Sequence, residues 1–197
     1  MSEDSRKKLI DAASLLFAES GYDGVSIRQI SEAAEVNSAM ISYHFGSKKA
    51  LYEAVLDRQL DPIRQLTAQD YSDQDPREVI RLYAGQMLHI HQTHPELLSY
   101  IFRELAAPSA VPHGLFQTIA PPLFRLLTGA LSRGVRLRLF REDLDIPAAA
   151  LLLAGMVNFH FLSRYPRRKI DVHPLRQLEE NLYLKQAVDV FLRGIQR

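Results

Sequence analysis

Three residues, Glu35-Val36-Asn37, join two short segments whose apolar residues recur at helical spacing. A connection that short between two helices is the signature of a helix-turn-helix. Ser26-Ile27-Arg28-Gln29 is a capping box, with Ser26 as N-cap and Gln29 at the third helical position. The helix it opens is expected to run to about Ala34 and to bury Ile27, Ile30 and Ala34. Ser38 is expected to open the second short helix, which ends at about His44. A longer helix from about Ser5 precedes both, with Leu9, Ala13, Leu16, Phe17 and Ser20 on one face. Gly21 suits the left-handed position that stops it.

The remainder is also punctuated as helix, and no strand-type alternation runs over any useful length. Ser47 caps a helix carrying Leu51, Val55, Leu56, Leu60, Ile63 and Leu66, which Pro62 should kink or end. Asp75-Pro76-Arg77-Glu78 starts a helix that turns Val79, Leu82, Tyr83, Met87 and Ile90 inward as far as about His94. Pro95 begins a further segment, and residues 107–114 form the most loop-like stretch. Helical pattern resumes at Leu115, with an interruption expected at Pro121-Pro122. Asp145 caps an apolar helix to about Ser163, and a last amphipathic helix carries Leu175, Leu178, Leu182, Val188, Phe191 and Ile195. The fold class is therefore all-α: an N-terminal three-helix head over residues 1–46 and a helical bundle body over residues 47–197.

The apolar run from Ile146 to Val157 is too short for a bilayer, which needs roughly 20 residues, so a helix buried on every side is expected. The chain has no cysteine, which excludes disulfides and thiolate metal sites and fits a reducing cytoplasm. Its first residues lack the apolar core of a signal peptide.

Charge gives no direct pointer to function. The formal net charge is +1, and residues 1–60 carry seven Lys/Arg against nine Asp/Glu. Placement says more. In a helix-turn-helix the second helix enters the major groove by its N-terminal residues, where bulk would hold it away from the bases. Asn37, Ser38, Ala39 and Ser42 are small or polar, and Tyr43 and His44 one turn on can reach a phosphate or a thymine methyl. Ser47 opens the next helix, so its backbone N–H groups and the Lys48 ammonium suit a phosphate oxygen. Ser26 and Arg28 stand where they can clamp the opposite backbone. Asp11, Glu19, Glu32 and Glu35 are expected to point away, while Met40, Ile41 and Phe45 fall at packing spacing.

The stretch GVSIRQISEAAEVNSAMISYHFGSKKAL resembles the DNA-binding signature of the TetR/AcrR family of bacterial transcriptional regulators. The likeness covers roughly residues 6–56, and Tyr43-His44-Phe45 followed by Ser47-Lys48 is its most specific part. It implies a cytoplasmic all-helical homodimer that binds a double-stranded operator and is released by a small molecule held in the body. Ser42 stands where the family often has an aromatic, Gly46 where proline is common, and Asn37 and Ala39 where Ser and Gly are frequent. The stretches IFRELAAPSA and APPLFRLL resemble the YbiH-type branch of that family. The dimer is expected to form through residues 145–164 and 175–195, stacked on their symmetry mates as a four-helix bundle.

Other chemistry finds less support. Of His89, His91 and His94 only the last two share a helix face, and two imidazoles without a carboxylate make a poor metal site. No metal or cofactor is expected, and the three histidines are read as ordinary polar-face residues ending a helix, where a positive charge suits the terminus. Arg103 either forms a solvated pair with Glu104 or lines a ligand cavity beside Phe102, Phe116, Phe159 and His160. Asn158 and His160 interrupt an apolar helix and need partners, either across a dimer seam, the favoured reading, or on a ligand. No nucleophile elbow, zinc-binding histidine pair or phosphate-binding glycine loop is present, which disfavours an enzyme. Two rivals remain: a ligand-free DNA-binding activator or architectural protein, and a helical enzyme or carrier that uses the histidines.

Overall fold

The computed structural model describes residues 2–97, 99–101, 115–163 and 179–197, with the side chains of residues 115–118 outside that description. Among the described residues the chain is all-α. The helices are α1 (Ser2–Ser20), α2 (Ile27–Ala33), α3 (Ala39–Phe45), α4 (Lys48–Ala68), α5 (Pro76–Thr93), α6 (Leu115–Arg136), α7 (Ile146–Leu162) and α8 (Glu180–Ile195). A single antiparallel bridge pairs Phe140 with Gln196. No described helix is long and apolar enough to cross a membrane. Two compact units form, one from residues 1–62 with 94–119 and the other from residues 63–93 with 120–197.

In the first unit α1 packs on α2 and α3. Leu9, Ala13, Phe17, Ile30, Ile41, Leu51 and Val55 are fully enclosed. Gly21 takes φ 73° and its N–H closes on the Phe17 carbonyl at 2.9 Å, the expected left-handed stop. The buried face of α1 is completed by Ser14 and Ala18, not by Ser20, which is exposed. Ser14 is tied twice: Gln59 Nε2 donates to its hydroxyl and the Tyr100 hydroxyl to its carbonyl, both at 2.8 Å. Around it Phe17, Tyr22, Tyr52 and Tyr100 form a chain of ring contacts, with centroids 5.0 Å apart for Phe17 and Tyr52.

In the second unit α5, α7 and α8 pack on one another. Asp75 caps α5 by accepting from the Arg77 N–H at 2.8 Å, and Asp145 caps α7 by accepting from Ala148 at 2.9 Å. Burial falls on Val79, Tyr83, Met87 and Ile90 of α5 as expected, with Leu82 only half-buried. Between the helices lies a polar core. His91 Nε2 meets Asn158 Oδ1 at 3.1 Å, and Asn158 Nδ2 donates to the Tyr83 hydroxyl at 3.3 Å. Burial pushes the Tyr83 hydroxyl up to about 12.

Four expectations are corrected here. Pro62, Pro121 and Pro122 all lie inside continuous helices. Proline's fixed φ is already helical, so each removes a backbone donor without forcing an end. Helix α7 is not buried on every side: Leu151, Leu152 and Phe159 are 63–69% exposed, while Ala149, Ala150, Leu153, Val157, His160 and Phe161 are buried. Leu182 is likewise exposed, so the inward face of α8 is Leu184, Ala187, Val188, Phe191, Leu192 and Ile195. Lastly, His91 is no polar-face histidine. It is buried, with its ring 4.2 Å from that of Phe161.

Candidate nucleic-acid interface

The turn between α2 and α3 closes by local bonding. Glu35 adopts φ 54°, the left-handed region that non-glycine residues seldom enter. With the chain so reversed, the Val36 N–H reaches the Ser31 carbonyl at 3.0 Å and the Glu35 N–H the Glu32 carbonyl at 3.2 Å. Asn37 Oδ1 then accepts from the Ala39 N–H at 2.8 Å. That bond does the work expected of Ser38. Ser38 is itself helical, at φ −57° and ψ −28°, and its hydroxyl makes no capping bond.

Asn37, Ser38, Ala39, Ser42 and Tyr43 are consequently all exposed along one short helix, Tyr43 by 74%. Ile41 is fully enclosed and Met40 and Phe45 are half-buried, so the packing residues sit where their spacing put them. Gly46 ends α3 at φ 78°, and its N–H bonds the Ser42 carbonyl at 3.0 Å. Ser47 Oγ caps α4 through the Ala50 N–H at 3.1 Å, leaving Lys48 at the head of that helix.

Several of these side chains are held by partners that only the fold reveals. His44 Nε2 lies 2.8 Å from Ser5 Oγ, so its ring is docked on α1. Lys48 Nζ stands 4.3 Å above the Tyr22 ring, and the Arg6 guanidinium carbon lies 5.3 Å from the centre of Phe45. Ser26 serves as the cap of α2, its N–H donating to Gln29 Oε1 at 2.8 Å and its hydroxyl accepting from the Gln29 N–H at 3.2 Å. Ile27 is 37% exposed, contrary to its expected burial.

Glu32 does not point away from the groove-facing surface as expected. Instead Arg28 Nε and Glu32 Oε1 are 2.7 Å from each other, and both line one groove with Ile27, Val36, Asn37 and Ser38. Glu32 therefore faces the start of α3, because residues four apart share a helix face. Sequence spacing carried that signal. The Ser5, Arg6 and Tyr22 contacts were not available from it.

Of the candidate ligand residues, Phe159 and His160 are described with their side chains. Phe102 and Arg103 lie outside the described residues, as does the side chain of Phe116. Phe159 is 64% exposed and His160 is 1% exposed, so one faces outward and the other into the packed interior. His160 stacks on Tyr183 with ring centres 4.5 Å apart. Among the described residues no three His, Cys, Asp or Glu side chains are grouped to hold a metal ion.

Residues 9–55 match the family model described as bacterial regulatory proteins, tetR family. Over its whole length the chain is 26% identical to an HTH-type transcriptional repressor, NicS, of Pseudomonas putida, covering 94% of that protein. Among solved structures it is similar to a putative fatty acid metabolism regulator of Clostridium perfringens, at TM-score 0.77 and 20% identity, over 96% of this chain and 99% of that one. A gamma-butyrolactone receptor described as ArpA-like matches at TM-score 0.70 and 22% identity, over 100% and 90%.

Proposed function

The chain belongs to the tetR family of bacterial regulatory proteins, and we propose that it is a transcriptional repressor which a small molecule releases from a near-palindromic DNA operator. The observation that carries this reading is the exposed start of α3. Asn37, Ser38, Ala39 and Ser42 present no bulk for a full turn, and Lys48 follows at the head of α4. Such a start admits the helix into a major groove, and the backbone N–H groups beside Lys48 suit a phosphate.

Residues 1–46 are assigned to the DNA-binding head and residues 47–197 to the effector-binding and dimerisation body. A homodimer through residues 145–164 and 175–195 is supported by the apolar stripe of Leu151, Leu152 and Phe159 on α7 and by Leu182 and Val190 on α8. Monomeric proteins seldom leave such a patch bare. A two-fold dimer sets its recognition helices about 34–36 Å apart, which is why the operator should be a near-palindrome. NicS is a repressor and the ArpA-like protein is a receptor for a small molecule, and both support the ligand-released reading. A ligand that binds one arrangement of the body better than another shifts the population away from DNA. The site of action is the bacterial cytoplasm, and no catalytic role is assigned.

The test is gel retardation of DNA fragments from upstream of the protein's own gene at low ionic strength. A retarded fragment with near-palindromic symmetry supports the reading. Failure to retard any fragment sinks it.

A further inference from the structure

Helix α6 carries Arg125, Gly129, Arg133 and Arg136 on one stripe, at intervals of four, four and three residues. With Asp70 and Tyr71 they line an open groove of about 380 Å³. Arg133 is the structural member. Its guanidinium donates to the Tyr71 carbonyl at 2.6 Å and to the Gln74 carbonyl, while its buried Nε–H has no hydrogen-bond partner. Neither Arg125 nor Arg136 makes an ion pair among the described residues.

Asp70 offsets only one of the three charges. Its carboxylate accepts from the Ser72 N–H at 2.9 Å, which holds it below the usual carboxylate range and keeps it charged. Three arginines against one aspartate leave the groove cationic. Of the remaining wall, Thr67, Gln69 and Ser72 are polar, and Val79, Pro122, Leu126 and Ala130 form an apolar part in which Pro122 and Leu126 are half-buried. A Cβ built on Gly129 would meet nothing within 4 Å, so the stretch between Arg125 and Arg133 is open.

We propose that this groove binds a small amphiphilic anion, a carboxylate or phosphate ester, whose charged group pairs with the arginines while a short aliphatic body covers Pro122 and Leu126. Guanidinium groups match both oxyanions in a two-pronged geometry, and a buried unpartnered donor adds a further reason for an acceptor to settle there. The proposal is independent of DNA binding, since every residue it uses lies between 67 and 136.

The test is calorimetric titration of the full chain, at low salt, with hexanoate, hexyl phosphate and hexanol. One or both anions should bind at least tenfold more tightly than hexanol, and the tighter of the two identifies the head group. Arg125→Gln with Arg136→Gln should weaken that anion at least tenfold. Gly129→Leu should abolish its binding while the melting temperature holds or rises, because leucine suits a helix better than glycine. Equal binding of hexanol, no binding of either anion, or binding indifferent to Gly129→Leu would overturn it. A chain that binds the anion but retards no DNA would refute the repressor reading and leave the groove standing.

Discussion

Arg28 Nε and Glu32 Oε1 are 2.7 Å apart at the edge of the groove that Asn37 and Ser38 help to line. In the proposed complex Glu32 therefore competes with a DNA phosphate for the Arg28 guanidinium. Glu32→Gln should therefore raise operator affinity by roughly threefold to tenfold and steepen its salt dependence, by up to about one unit of slope for one added phosphate contact. Retardation assays over a salt series measure both. Weaker binding by the variant would show instead that Glu32 reads a base edge.

Ala39 is exposed in the first turn of α3. Ala39→Leu should lower operator affinity at least tenfold, by holding the helix off the bases. Stability should change by no more than about 0.5 kcal/mol, as at other surface positions. Unfolding in urea and retardation together separate the two effects. Unimpaired binding would remove α3 from the groove.

Two glycines of α6 should respond in opposite directions. A Cβ at Gly134 would stand 2.1 Å from ring carbons of Phe140, a fully buried residue. Gly134→Ala should destabilise by about 1–3 kcal/mol through overpacking. Gly129→Ala meets no neighbour and should stabilise by up to about 1 kcal/mol, since glycine is a poor helix former. Urea unfolding of the pair provides the check, and stabilisation by Gly134→Ala would refute the close approach.

Burial holds the His91 imidazole below the ordinary histidine range, with the Asn158 hydrogen bond and the Glu180 charge opposing it. The unfolded chain therefore binds more protons than the folded one as pH falls below about 6.5. The contribution from neutral His91 is complete above that pH and is lost progressively below it. Thermal melts from pH 7.5 to 5.5 should show this decline, and His91→Gln should flatten it. A variant with the same pH profile as the parent would absolve His91.

Phe159→Glu places a charge in the apolar stripe of α7 without entering the core, because Phe159 is 64% exposed. The variant should keep its helical content, run as a monomer by light scattering at micromolar concentration, and lose operator affinity at least tenfold. A dimer that survives the change would move the seam elsewhere.

How much of this was legible in the sequence depended on how local each cause is. The capping box at Ser26 and Gln29, the left-handed stop at Gly21 and the caps at Ser47, Asp75 and Asp145 all act within a few residues, and all formed as read. Propensity predicts an interruption at Pro121-Pro122 and a kink or an end at Pro62, yet the helices continue through all three. Helix α7 defeated periodicity for another reason. An all-apolar segment has no polar stripe to mark its outer face, so the exposure of Leu151 and Phe159 left no trace in the pattern. At the candidate interface, the exposure of Asn37, Ser38, Ala39, Ser42 and Tyr43 follows from residue type. The anchoring of His44 by Ser5 and of Lys48 by Tyr22 joins distant parts of the chain, and no spacing rule reports it.

Asn37 closes the turn with its side chain, and Ser38 carries no structural duty beside it. On the proposed reading, folding and recognition are thereby divided between neighbours. Exchange at position 38 can retune which sequence is preferred while the architecture stays intact, so a lineage with this arrangement can drift to new operators without first passing through a crippled fold.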